Sequence, residues 1–180
     1  SDVCSSDLET LDELFDIATA LGSQPLPAGR RVGIITNAGG PGILCADACE
    51  AGALKISEFS EHLRQSLRTT LPPAASVTNP IDMIASATPE QYRETTATVI
   101  ASGEVDAVIV IYIPVDRDDS TRISDAILAG IAKGRASGGT GIPVLLCLMS
   151  GVKGQSPLRI ASETIPTYTF PECAARVLAR

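Results

Sequence analysis

The sequence predicts an α/β fold built on a parallel sheet with helices on both faces. Three apolar, β-branched runs at 31–36, 106–113 and 143–149 are typical of strands that are buried on both sides. Helical patterns alternate with these runs, and the connections between them are short. A chain of 180 residues is long enough to bury a sizeable core. Alternation of this kind favours three layers, with the sheet in the middle.

The chain divides into three segments of different character. Residues 1–8 fit poorly with the rest of the chain and resemble translated sequencing adapter, so we expect a non-native or disordered leader. Residues 9–29 are expected to form a connector, because Leu11, Leu14 and further apolar residues recur at helical spacing before a proline-containing linker. Residues 30–180 are expected to form the domain itself, in a flavodoxin-like arrangement.

Capping signals place the helices of this domain. Gly52 is the expected C-cap of a helix over 41–51. Ser60 is an expected N-cap, and Thr88 with Gln91 forms a predicted capping box. The other predicted elements, in chain order, are a short strand over 54–56, a helix over 61–69, a loop over 74–86, a helix over 89–101, a helix over 119–133, a strand over 166–170 and a helix over 171–178.

Composition excludes several classes of function. The net charge of −7 and an aromatic content of 3% argue against a nucleic-acid partner. Apolar runs are shorter than the roughly 20 residues of a membrane helix, and no secretory signal is seen. The five cysteines lack C-x-x-C spacing, and Cys45 and Cys49 are expected to pack as small apolar residues, so no metal site is predicted. We therefore expect a reduced, cytoplasmic protein.

The most informative segment is the glycine-rich turn at 36–42, which comes directly after a buried strand and opens a helix. Such a turn presents backbone N–H groups at a helix N-terminus, where an anion can bind. It is not a P-loop, because the Gly-Lys-Ser/Thr ending is missing, and it does not match G-x-G-x-x-G. A turn that serves packing alone is the alternative. The candidate phosphoryl-binding residues are Thr36, Asn37, Ala38, Gly39, Gly40 and Gly42.

Other candidates come after the predicted strands or approach the same edge of the sheet. Residues 112–116 and 149–154 come after strands, where ligands bind in such folds. Asn79 and Asp82, on either side of a proline, are expected either to line a pocket or to cap local backbone. His62 is expected on the exposed side of an amphipathic helix, without a catalytic role.

A run of carboxylates comes after the central predicted strand, at Asp116, Asp118 and Asp119. Oxygen ligands of this kind suit a metal ion, but a solvated loop with a helix N-cap explains them better. We therefore expect a loop in this segment.

Several motifs occur here in the order found in one family. As a set they resemble the NDP-forming acyl-CoA synthetases, also called ADP-forming acetate–CoA ligases, which are relatives of succinyl-CoA synthetase. The resemblance covers about residues 9–180, and it is carried by the segments 36–42, 71–76, 79–82, 105–108 and 170–172.

The resemblance implies the second flavodoxin-like ligase domain of such an enzyme. The family converts an acid, CoA and ATP into acyl-CoA, ADP and phosphate through an acyl phosphate and a phosphohistidine. The glycine turn would stabilise the phosphohistidine, and Asn79 and Asp82 match a second loop near the acyl site. CoA, ATP or ADP, and Mg belong to the full enzyme, and this chain alone is expected to bind none of them.

The chain departs from the family at the catalytic histidine. The Ser-His-Thr-Gly context of the phosphohistidine is absent, and His62 lies in a different segment, so no catalytic residue is assigned here. We expect the isolated chain to be inactive. Its implied partners are the CoA-binding, phosphohistidine and ATP-grasp modules, with a small carboxylic acid and phosphate as substrates.

Two other functions stay open on the sequence alone. Similar modules act as regulatory parts of protein lysine acetyltransferases. A free-standing flavodoxin-like binding domain is a weaker alternative, in which flavin is disfavoured because few aromatic residues are available to sandwich its ring.

Overall fold

A computed structural model of the chain describes residues 10–114, 120–149, 157–160 and 163–180. Five parallel strands form the main sheet, and a two-stranded antiparallel hairpin lies apart from it. The strands are β1 (Val32–Thr36), β2 (Ile81–Asp82), β3 (Ala107–Tyr112), β4 (Val144–Leu148), β5 (Leu158–Ile160), β6 (Glu163–Ile165) and β7 (Thr167–Tyr168).

The order of the main sheet is β2-β1-β3-β4-β7, which is the flavodoxin-like order. The predicted α/β class and parallel sheet are therefore confirmed. The hairpin of β5 and β6 stands outside this order.

Helices cover both faces of the sheet. They are α1 (Leu11–Ser23), α2 (Gly39–Ala51), α3 (Glu61–Arg68), α4 (Pro89–Ala101), α5 (Ser120–Ala136) and α6 (Pro171–Ala179). One apolar cluster contains residues of α1, α2 and α6, and a second contains residues of α3, α4 and α5. Side chains of β1 and β3 alternate between these clusters, as expected for strands buried on both faces.

Several predicted boundaries were wrong. Helix α2 begins at Gly39 rather than at residue 41, so its first two residues are glycines, although glycine is a poor helix former. Strand β2 forms within the segment expected to be a loop. The segment 54–56 makes a single bridge, between Arg31 and Lys55, instead of a strand. The strand expected at 166–170 is limited to Thr167–Tyr168, and β5 and β6 were not predicted.

An ion pair between Arg31 and Asp106 joins the starts of β1 and β3. The Asp106 carboxylate accepts hydrogen bonds from the backbone N–H of Arg31 at 2.9 Å, from its Nε at 3.0 Å and from its Nη2 at 2.8 Å. Hydrogen bonding from the Arg31 guanidinium lowers the pKa of Asp106 below its usual range. The pair fixes β1, which leads into the glycine turn, against its neighbour β3.

This lowered pKa predicts a loss of stability in acid. Folding lowers the pKa of this carboxylate, so it stabilises the protein fully at pH values above the unfolded-state pKa of about 3.9. The stabilisation is lost as the pH falls through the folded-state pKa. The free energy of unfolding, measured by urea denaturation, should fall over this window. Asp106→Asn should flatten the fall, whereas Asp47→Asn, at an exposed position of α2, should leave it unchanged. Equal acid sensitivity in wild type and Asp106→Asn would contradict this role.

Candidate functional site at the glycine turn

The glycine turn lies at the switch point of the sheet. Strand β2 pairs with β1 on one side, and β3 pairs with β1 on the other. Connections that leave in opposite directions open a crevice beyond the carboxyl ends of the two central strands, and ligands bind there in open α/β sheets. The turn after Thr36 and the segment after Tyr112 meet at this crevice.

The N-terminus of α2 offers its donors from the backbone. The N-cap is Ala38, whose methyl group cannot accept a hydrogen bond from the first turn. Gly42 donates to the carbonyl of Ala38 at 3.4 Å, which begins the helical ladder. Since Pro41 has no N–H, Gly39 and Gly40 supply the two helical N–H groups that precede this bond. As the first N–H groups of α2, they point toward its N-terminal end, which comes directly after the carboxyl end of β1.

The side chains of Thr36 and Asn37 hold the turn from within. Thr36 is fully buried, and its hydroxyl accepts from the N–H of Ala38 at 3.1 Å and donates to the Ala38 carbonyl at 3.0 Å. The amide of Asn37 donates to the carbonyl of Ile113 at 2.9 Å and accepts from its N–H, also at 2.9 Å. Asn37 thereby ties the turn to the segment that comes after β3.

Asn79 binds backbone on the other side of β1. Its Oδ1 accepts from the N–H of Ile34 at 3.0 Å, and its Nδ2 donates to the carbonyl of Val32 at 2.7 Å and to that of Ser57 at 3.2 Å. The Asn79–Pro80 peptide bond is cis. These partners are 22 to 47 residues away in sequence, so Asn79 joins its loop to β1 and does not cap local backbone.

Asp82 and Pro80 bring the second loop against the start of α2. Oδ1 of Asp82 accepts from the N–H of Ile84 at 2.9 Å. Its Oδ2 lies 3.1 Å from the position that a Cβ would take at Gly39. A Cβ at Gly42 would lie 3.0 Å from the Thr36 methyl and 3.5 Å from Pro80. Glycine at 42 therefore serves close packing, whereas a Cβ at Gly40 would meet no atom within 4 Å.

The remaining candidates are separate from this crevice or lie outside the described residues. His62 is exposed on α3, as predicted. Cys45 and Cys49 are fully buried, and a hydrogen bond with Cys49 and burial raise the pKa of the Cys45 thiol. The carboxylates of Asp116, Asp118 and Asp119 and residues 150–154 lie outside the described part of the chain.

Sequence reasoning missed Tyr92 as a support of this edge. The Tyr92 hydroxyl donates to the carbonyl of Ile111 at 3.0 Å, and its ring meets Tyr112 edge-on at 5.7 Å. Burial raises the pKa of Tyr92 well above its usual range, so the phenol stays protonated. A lone tyrosine on a helix gives no sequence signal for such a contact with a strand.

Among the described residues, no group of three or more His, Cys, Asp or Glu side chains could hold a metal ion. Within the same ranges, no helix is long and apolar enough to cross a membrane.

Comparison with known proteins identifies the family of this domain. The Ligase-CoA domain family matches residues 32–158, and the chain belongs to this family. Over 167 residues the chain is 39% identical to the acetate–CoA ligase [ADP-forming] II subunit alpha of Pyrococcus furiosus. Over 172 residues it is 31% identical to the 4-hydroxybutyrate–CoA ligase [ADP-forming] of Nitrosopumilus maritimus.

The chain spans only part of these relatives. The match covers 92% of the chain but 36% of the Pyrococcus subunit, and 96% of the chain but 24% of the Nitrosopumilus ligase. The crystal structure of PH0766 from Pyrococcus horikoshii OT3 superposes with a TM-score of 0.77 and 31% identity, and the match covers 96% of the chain and 39% of PH0766.

A second solved structure shares the fold. It is the dinucleotide forming acetyl-coenzyme A synthetase 1 of Ca. Korarchaeum cryptofilum, in complex with phosphate and ADP. It superposes with a TM-score of 0.79 at 24% identity, and the match covers 96% of the chain and 36% of that protein.

Removal of the Asn79 amide should destabilise the fold. Asn79→Ala leaves the backbone groups of Ile34 and Val32 without their side-chain partner, at a cost of about 2–4 kcal/mol in the free energy of unfolding. Urea denaturation measures the loss. Thr78→Ala, one residue earlier, removes only an exposed hydroxyl contact with Ser76 and should change stability by less than about 0.5 kcal/mol. Equal losses in the two variants would show that the Asn79 contacts add no stability.

Proposed function

We propose that this chain supplies one half of the phosphoryl-transfer site of an ADP-forming acyl-CoA synthetase. In such an enzyme an acid, CoA and ATP give acyl-CoA, ADP and phosphate, by way of a phosphohistidine. Membership of the Ligase-CoA family supports the reaction class. The observation that carries the proposal is the pair of backbone donors at Gly39 and Gly40, which lie at the switch point of the sheet.

The residues of the turn divide into donors and supports. Gly39 and Gly40 would donate their N–H groups to the phosphoryl oxygens, and the helix dipole would add about 1–2 kcal/mol for a negative group. Because these N–H groups are already held in position, they would need no reorganisation when the negatively charged phosphoryl group binds. The residues proposed to hold them in place are Thr36, Asn37, Ala38 and Gly42, with Asn79 and Asp82 on the second loop.

The phosphorylated histidine is proposed to come from another domain. His62 is exposed on α3, and the turn contains no lysine that could reach a nucleotide phosphate. The missing modules would be the CoA-binding, phosphohistidine and ATP-grasp domains, and they would hold CoA, ATP or ADP, and Mg. The chain spans 36% of the Pyrococcus subunit, which supports the assignment of the histidine to another domain. Without those modules the chain should have no ligase turnover.

Inorganic phosphate tests the donor pair in the isolated chain. Titration of ¹⁵N-labelled protein to tens of millimolar should move the amide signals of Gly39 and Gly40 more than those elsewhere. Weak binding is expected, because half of the site is absent. A Cβ tilts toward the helix N-terminus, so the methyl group of Gly40→Ala would stand in the space that the anion needs. That substitution should fold normally, since no atom lies within 4 Å of the new carbon.

Gly22→Ala is the matched control, because it also adds a methyl group to a helix with no atom within 4 Å. It should leave the response to phosphate unchanged. If the signals of Gly39 and Gly40 stay still in wild type while others move, the donor role is wrong. If Gly40→Ala responds as strongly as wild type, the phosphate binds elsewhere.

A further inference from the structure

A cavity of about 390 Å³ lies at the edge of the sheet opposite the glycine turn. Its walls come from the ends of α1, α2 and α6, the linker at 25–27, the residues that lead into β1 and the start of β4. The glycine turn follows the carboxyl end of β1, whereas this cavity lies beside the amino ends of the strands. The two sites are therefore separate.

The walls of the cavity are mainly apolar. Ala20 of α1, Leu145 of β4 and Val177 of α6 line it and are buried. At its mouth Leu21 is 61% exposed and Leu26 is 71% exposed, so apolar surface is open to solvent there. Binding sites for small molecules are hollows of roughly 300–1,000 Å³ with mostly apolar walls and a few polar groups that orient the ligand.

The polar group at this mouth is the guanidinium of Arg30. Arg30 lines the cavity and is exposed. Its Nη1 donates to the carbonyl of Ala53 at 3.3 Å, which holds the guanidinium against the wall at the end of α2. A guanidinium has five N–H donors, and toward the described residues the side chain of Arg30 uses this one alone.

Carboxylates close to the walls are paired with other arginines. Among the described residues that line the cavity, none is acidic. Glu13 forms an ion pair with Arg180 at 3.1 Å, and Asp106, which lies against the end of the linker, forms one with Arg31 at 2.8 Å. The charge of Arg30 is therefore available to an anion at the mouth.

The end of α2 would repel an anion if its last carbonyl groups were open to the cavity. The carbonyls of Ala48, Cys49 and Glu50 accept from backbone N–H groups of residues 52–54 at 2.9–3.1 Å. Arg30 covers the carbonyl of Ala53. On this side the mouth thus presents a guanidinium rather than a row of open carbonyl oxygens.

We propose that the cavity binds a medium-chain carboxylic acid, with the hydrocarbon chain inside and the carboxylate on Arg30. At about 30 Å³ for each water-sized group, the cavity holds about a dozen such groups, so an acid of about eight carbons fits. A guanidinium binds a carboxylate through two parallel N–H groups, which orients the acid at the mouth. An acid bound here lies outside the crevice at the glycine turn and takes no part in a reaction there.

Titration of the ¹⁵N-labelled chain with octanoate tests the site. Amide signals of residues 20–30 and of Leu54 should move and saturate, with a dissociation constant of about 1 mM for a ligand of about ten non-hydrogen atoms. Hexanoate should bind about tenfold more weakly, because two methylene groups no longer reach the apolar walls. The signals of Gly39 and Gly40 should stay still, since they lie at the opposite edge of the sheet.

Arg30→Gln tests recognition of the carboxylate. It should weaken octanoate binding about tenfold and leave the binding of 1-octanol within about twofold, because the alcohol carries no charge. Arg68→Gln removes an exposed arginine on α3 and is the matched control, which should bind octanoate like wild type. Octylammonium should bind wild type more weakly than octanoate does.

Ala20→Leu tests the position of the hydrocarbon chain. The larger side chain occupies the cavity from the inner face of α1 and should abolish the response to octanoate. Ala18→Leu makes the same change at an exposed position of α1 and should bind octanoate normally. Circular dichroism checks that both variants fold, and Arg30→Gln, at an exposed position, tests the site independently if Ala20→Leu does not.

Four results would overturn the proposal. The first is a wild-type chain whose signals do not move up to about 10 mM octanoate, well above the expected dissociation constant. The second is octylammonium that binds as tightly as octanoate. The third is unchanged octanoate binding in Arg30→Gln or in a folded Ala20→Leu variant. The fourth is movement of the Gly39 and Gly40 signals instead, which would place the acid in the crevice.

Discussion

The side-chain amide of Asn79 holds β1, that of Asn37 holds the turn that follows it, and the geometry of the glycine turn depends on both. Asn79 pairs with the backbone around Ile34 on one side, before β2 takes over as the neighbouring strand. Asn37 binds both backbone groups of Ile113 on the other side. An amide side chain has the same donor and acceptor as a peptide group, so each asparagine replaces a missing strand partner. Together they set the direction in which α2 leaves the sheet.

The polar side chains of the turn are hydrogen-bonded to backbone, whereas the first turn of α2 has no side-chain cap. The Thr36 hydroxyl is engaged inside the turn, and the Asn37 amide is engaged by Ile113. Gly42 lets α2 pack closely on Thr36 and Pro80. What faces the crevice is the start of a helix with an alanine N-cap and glycine in the next two positions. An N-cap serine or aspartate would bind these N–H groups itself, whereas alanine leaves them without a side-chain cap.

Continuous apolar runs made the centre of the sheet predictable, because β1, β3 and β4 are buried on both faces. Strand β2 was missed because it has only two residues, too few for an apolar pattern, and it is defined by its pairing with β1. Glycine spacing located the turn, but it did not reveal that Asn79 would face β1. Apolar spacing predicted α1, but it could not show that Leu11, Phe15 and Leu21 would be exposed, since spacing identifies an apolar face and not what packs on it.

We propose that another domain completes the site at this turn. A structure of the complete, histidine-phosphorylated enzyme would test this most directly. We predict phosphoryl oxygens within about 3 Å of the backbone nitrogens of Gly39 and Gly40, the distance of a charge-assisted hydrogen bond. A phosphohistidine held by other groups, with these two nitrogens facing solvent or protein, would contradict the proposed role of the turn.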